Sequence, residues 1–185
     1  DKEIIIPAQF NENLDYIGAN IHSAIISDKR YDEVYLLKES IDKIKDKYDF
    51  VFIDCNPSLG FLSISALIAS EQTLIPVNAE PFSLIGLRDL MTTINRIKGR
   101  MNISLSVLGI IINSASGRKT ILNDNIETDL RTHYPNLVFE TVIPQSVSIS
   151  ESVTQMKSVM DYAPNTSPAD KFNMLISEFE RRING

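Results

Sequence analysis

Tyr48-Asp49-Phe50-Val51-Phe52-Ile53-Asp54-Cys55-Asn56-Pro57-Ser58-Leu59-Gly60 is the stretch from which the fold is read. Phe50 to Ile53 run apolar without polar alternation, the pattern of a parallel strand covered on both faces. The run ends on Asp54 and breaks into a Pro/Ser/Gly turn. In open parallel sheets the ligand crevice lies at the carboxyl ends of the strands. An aspartate there holds Mg²⁺, usually through water, beside a nucleotide's phosphates. This is the pattern of a Walker B strand; the plainer reading of Asp54 is a cap for the helix that follows. The companion motif, a Gly-rich loop ending in Gly-Lys-Ser/Thr, has no counterpart, because none of the seven glycines precedes a lysine.

Working outward, further strands are expected near Glu3–Pro7, Thr73–Val77, Ser104–Ile112 and Val138–Val142, with Asp49–Asp54 among them. Helical patterns lie between: Asn11 to Ile26, residues 32 to 47, Ser83 to Lys98, Lys119 to His133, and a last helix spaced by Phe172, Leu175, Ile176, Phe179 and Ile183. Strands alternating with helices predict an α/β fold, a doubly wound, mostly parallel sheet with helices on both faces. The last helix mixes acidic residues with its arginines, so it reads as core packing rather than a membrane-surface helix, which carries a strongly basic face.

The composition, 43% hydrophobic and 23% charged over 185 residues, suits a single domain spanning 1–185 with a real core. No apolar run reaches the length of a membrane span and no signal pattern opens the chain, so a cytoplasmic location is expected. Cys55 is the one cysteine. It cannot form an internal disulfide, and it reads as a small buried neighbour of Asp54 rather than a nucleophile.

Beyond Asp54 the pattern continues through Leu74-Ile75-Pro76-Val77 and Glu80-Pro81-Phe82-Ser83-Leu84-Ile85-Gly86-Leu87. Then come Leu108-Gly109-Ile110-Ile111-Ile112-Asn113, Val142-Ile143-Pro144, Ser150-Glu151 and Tyr162-x-Pro164. In this order and spacing the chain resembles the ParA-type partition ATPases, relatives of Soj and MinD, from about Ile4 to the C-terminus. The resemblance implies a P-loop NTPase-like fold and an ATPase that uses ATP and Mg²⁺. Asp54 would organise the metal and the attacking water. Pro57 and Ser58 would belong to a switch-like loop, softened where Asn56 replaces a family proline. Asn113 would hydrogen-bond adenine and Pro144 would open the base-flanking loop; the plainer reading of Asn113 is a turn residue. Glu80 reads as orienting the helix after it.

Implied partners are a ParB-like centromere-binding protein, a second copy in an ATP-bound homodimer, and DNA bound without sequence preference, with no membrane. For DNA the family position falls at Arg118 and Lys119, which with Arg181 and Arg182 would form one local patch; the plainer reading is a solvated helix start and a charged C-terminal end. Against it stand a net charge of −6 and Gln145 and Ser148 at positions where the family carries arginine. The resemblance also places a P-loop ahead of Asp1, so the domain is expected to be incomplete at its N-terminus. The upstream part has been cut away, lies outside this sequence, or is naturally absent in a reduced paralogue. The strand feeding that loop is expected between the Walker B strand and Ser104–Ile112. Without it, open strand edges would make the 185 residues alone close the gap, swap strands or aggregate. The segment alone is expected to bind ATP poorly. The alternative to an ATPase fragment driving plasmid or chromosome partitioning is a non-catalytic regulatory module lacking the P-loop.

Overall fold

The computed structural model describes residues 5–8, 11–18, 31–80, 83–115 and 121–185. They form two compact units, Asp1–Ala69 and Ser70–Gly185.

In the first unit β1 (Ile6–Pro7) pairs antiparallel with β2 (Asp15–Tyr16). The expected helix from Asn11 does not start: the Asn11 side-chain oxygen accepts the Asn13 N–H (2.9 Å), and the Ala8 N–H reaches Leu14 O (2.8 Å). Asparagine closes a local turn of its own in competition with a helix, and here the turn reverses the chain into β2. The remainder of that expected helix, 19–26, lies outside the described residues, as do Glu3 and Ile4.

The expected helix at 32–47 is broken into a 3₁₀ turn (Tyr31–Tyr35), α1 (Leu36–Asp42) and a second 3₁₀ turn (Lys45–Lys47). Val34 is its most buried anchor, and Lys38 and Lys45 both pair with Asp42 on the solvent side. Helix α2 (Phe61–Ala69) buries Ala66, Leu67 and Ile68 and packs against α1 and the Tyr31–Tyr35 turn.

The second unit is built on three parallel strands in the order β3 (Gln72–Asn78), β4 (Ser106–Ala115), β5 (Val138–Pro144). Parallel neighbours need long crossovers, here α3 (Ser83–Arg100) and α4 (Ile121–His133). Ile110, Ile111 and Ile112 are all buried. Because successive strand residues face opposite sides, both faces of β4 are covered, as a doubly wound sheet requires. On one face Ile111, Phe139 and Ile143 meet Phe172, Leu175 and Phe179 of α7 (Ser167–Asn184), so the last helix packs on the core as its spacing predicts, except at Ile176, which is exposed.

β4 has β3 on one side and β5 on the other. The expectation that a phosphate-loop strand borders Ser104–Ile112 is therefore corrected: among the described residues the sheet's edges are β3 and β5. Gly109 is required where it stands, since a Cβ would lie 2.7 Å from Phe139 Cδ2 and 2.8 Å from the Leu137 carbonyl oxygen.

Edge strand β5 is irregular: Ile110 pairs with Val138, but Ile112 pairs with Val142. Residues fall out of step at such bulges, and here Glu178 of α7 accepts the N–H groups of Glu140 (2.8 Å) and Thr141 (3.0 Å). Arg182 closes on the Glu178 carboxylate (3.1 Å), donates to the carbonyls of Leu137 and Val138, and lies 4.1 Å from the Phe139 ring centroid. Burial pushes the Glu178 carboxyl up, but the Thr141 and Glu140 N–H groups and Arg182 outweigh it, and the group sits below the ordinary glutamate range.

Two short helices, α5 (Val147–Thr154) and α6 (Val159–Tyr162), link β5 to α7. Ser146 and Ser158 cap their N-termini through their side-chain oxygens.

Candidate nucleotide site

Asp54 lies in the first unit, in a stretch without regular secondary structure that pairs with no strand among the described residues. The expected buried strand at Asp49–Asp54 is thus a correction: Phe50, Val51 and Phe52 are exposed, with the two phenyl rings stacked 6.1 Å apart. An apolar run becomes a core strand only where other elements cover it.

The stretch is anchored at both ends. Tyr48 donates its hydroxyl to Asp15 of β2 (2.7 Å), and that bond, with some burial, raises the phenol above its ordinary pKa. At the far end Ser63, in the first turn of α2, donates to the Ser58 carbonyl and lies 3.4 Å from the Asn56 carbonyl. Ser63 is buried, and it fixes the Asn56–Ser58 turn through the backbone. Sequence reading missed it; the available signal was a serine in the opening turn of an apolar helix, directly after a Pro-Ser-Leu-Gly loop.

Asp54, Pro57 and Ser58 are exposed on this loop. Cys55 is exposed too, correcting the expectation that it is buried. Partial desolvation and the neighbouring Asp54 charge raise its thiol pKa, away from nucleophilic character.

In the second unit the register sets Asn113 beside Asn78, and Pro144 beside Ala115, at the carboxyl ends of three adjacent strands. The two base-side residues expected from sequence are thus brought to one edge of the sheet. Asn78, exposed there, was not foreseen. Two residues on, the main-chain carbonyl of Glu80 accepts the Ser83 N–H at the start of α3 (3.0 Å). Pro81, Phe82, Arg118 and Lys119 lie outside the described residues.

Arg182 does not belong to a phosphate-binding patch: it is committed to Glu178 and to backbone carbonyls. Arg181 remains exposed, 3.9 Å from Glu140.

Among the described residues no three His, Cys, Asp or Glu side chains gather as a metal site. Magnesium asks for less. It retains water and takes one or two carboxylates together with substrate phosphates, so one accessible aspartate at a loop fits its needs on the protein side.

The parallel sheet and its crossover helices, with Asn78 and Asn113 side by side at its carboxyl end, define a doubly wound α/β fold. Residues 1–107 match the family described as AAA domain. The chain is 33% identical over 177 residues to the sporulation initiation inhibitor protein Soj of Bacillus subtilis, covering 94% of this chain and 70% of that protein. It is 32% identical over 170 residues to the chromosome-partitioning ATPase Soj of Treponema pallidum, covering 92% of this chain and 65% of that one. The chain belongs to the ParA-type family of partition ATPases.

Solved structures agree on the fold. The cell division ATPase MinD of Pyrococcus furiosus superposes with a TM-score of 0.72 at 23% identity, covering 97% of this chain and 70% of that one. Cobyrinic acid a,c-diamide synthase of Mycobacterium smegmatis, crystallised with an ATP analogue and magnesium, matches at TM-score 0.68 and 26% identity, over 78% of this chain and 59% of that one. No helix among the described residues is long and apolar enough to cross a membrane.

Proposed function

We propose that these 185 residues are part of a single ParA-like domain of a cytoplasmic, Mg²⁺-dependent ATPase that partitions a plasmid or chromosome together with a ParB-like centromere-binding protein. The observation that carries this reading is Asp54: an accessible carboxylate on a loop whose turn is tied to α2 by Ser63, in a chain of this family. Bound magnesium would neutralise charge on the nucleotide's phosphates. Asp54 would hold that ion and orient the attacking water. Ser63 keeps Pro57 and Ser58 in one turn, so that the loop answers to the nucleotide as a unit. Asn113 hydrogen-bonds the adenine edge, and Pro144 limits the base on the neighbouring strand. ATP brings two copies together, and DNA is contacted through Arg118 and Lys119.

The test is calorimetric titration with Mg²⁺-ATP of the 185-residue chain and of the complete translation product that contains it. Tight binding only by the complete product supports the reading. Micromolar, Mg²⁺-dependent binding by the 185 residues alone refutes the dependence on an upstream phosphate cradle. No binding by either favours the non-catalytic module.

A further inference from the structure

The exposed face of α3 carries a line of arginines. Arg88, Thr92, Arg96 and Arg100 stand four residues apart and are exposed. At 3.6 residues per turn each step drifts by only about 40°, so they form one stripe about 18 Å long. The buried residues of the helix are Leu87, Ile94 and Ile97, on its other side. Four cations, Arg88, Arg96, Lys98 and Arg100, share α3 with a single carboxylate, Asp89, in a chain of net charge −6.

Helix formation does not account for the stripe. Lys98 and Arg100 complement the helix C-terminus, but Arg88 and Arg96 lie outside that last turn. Arg96 and Arg100, four residues apart, repel one another. Among the described residues, none of the three arginines forms an ion pair.

We infer that this stripe docks the phosphate backbone of duplex DNA. The choice of DNA rests on the partition reading above; the surface itself is separate from Arg118 and Lys119. A protein partner draws its affinity from apolar and aromatic anchors. Along this stripe Thr92, Asn95 and Gly99 are polar or small, and the exposed apolar residues described nearby lie at or beyond its ends, Ile85 before Arg88 and Met101 and Ile103 after Arg100. Backbone contact needs only charge and polar donors. Three arginines neutralise about three phosphates, which gives a log–log salt slope near −2.7 and an affinity falling about 40-fold between 50 and 200 mM salt.

The test is fluorescence anisotropy of a labelled duplex of arbitrary sequence with the complete translation product, without nucleotide. Arg88→Gln/Arg96→Gln/Arg100→Gln is expected to weaken binding at least about tenfold at low salt and to flatten the slope. Lys43→Gln/Lys47→Gln/Lys157→Gln, with the same change in charge at exposed positions elsewhere, is expected to bind as the parent does. Circular dichroism checks folding. If the triple variant is unfolded, R88Q and R96Q singly decide, each reducing the slope by about one. A folded triple variant that binds like the parent overturns the stripe and leaves the DNA reading standing. No binding by the parent overturns the stripe, and the DNA reading then depends on ATP-dependent binding by the complete product. Polyglutamate competing as well as DNA at equal charge overturns the nucleic-acid assignment in favour of an acidic protein.

Discussion

Replacing Glu178 by alanine removes the acceptor for two backbone N–H groups on β5 and the partner of Arg182. Glu178 is only 4% exposed, so water does not freely replace it. Removing one partner of a buried ion pair costs about 3–5 kcal/mol. Arg182 keeps the carbonyls of Leu137 and Val138 and is itself partly exposed, so its charge is not stranded, and the lower end, about 3 kcal/mol, is expected. For a chain of this size that lowers the melting temperature by about 6–12 °C. Glu178→Gln retains one acceptor oxygen and should fall between the two. The pH dependence has a definite sign. A carboxyl whose folded pKa is depressed stabilises fully above its unfolded pKa, about 4.3, and the contribution is lost as pH falls through the folded value. The gap between wild type and Glu178→Gln should therefore be widest near neutral pH and begin to narrow only as pH falls below about 4.3. Thermal unfolding followed by circular dichroism across this range is the assay. A Glu178→Ala protein melting within about 2 °C of wild type at pH 7 would refute the reasoning, since even 1 kcal/mol shifts the midpoint by that much.

Gly109→Ala should destabilise by about 1–3 kcal/mol, because the added methyl meets the Phe139 ring and the Leu137 carbonyl; denaturant midpoints at unchanged m-value measure it. Ser63→Ala should cost only about 1 kcal/mol of stability while speeding amide exchange at Leu59 and Gly60, because the Ser58 carbonyl loses its donor. The 185-residue chain by itself should self-associate in light scattering, since Phe50, Val51 and Phe52 are exposed and an exposed apolar strand-like segment invites foreign pairing. A monodisperse monomer with native-like secondary structure contradicts that expectation.

What the sequence made legible follows from how each element is stabilised. Ile110 to Ile112 read as a strand because an unbroken β-branched run is itself the signature of burial on both faces, Val138 to Val142 read as one because β-branched and aromatic residues flank the single charge of Glu140, and the polar residue that ends the β4 run, Asn113, fell at the sheet's carboxyl end. Tyr48 to Asp54 carries the same signature without the covering that would make it a core strand. At Asn11 a side-chain turn outweighed helical periodicity. The roles of Glu178 and Arg182 were not legible because their partners include backbone groups of an irregular strand, thirty-seven or more residues away in the case of Glu178, and no local pattern marks such a bulge. Gly109 was legible in principle, since a glycine inside an apolar strand flags close approach.

The central claim is that Asp54 is the magnesium-organising acid of a partition ATPase. Its most direct test is steady-state release of phosphate by the complete translation product, with Mg²⁺ and DNA, compared with an Asp54→Ala variant shown by circular dichroism to be folded. The account predicts that the variant retains ATP binding and loses about 10²-fold or more in turnover, the scale of a lost positioning or general-base contribution. Turnover within a factor of about two of wild type, a difference of well under 1 kcal/mol in barrier, would contradict it.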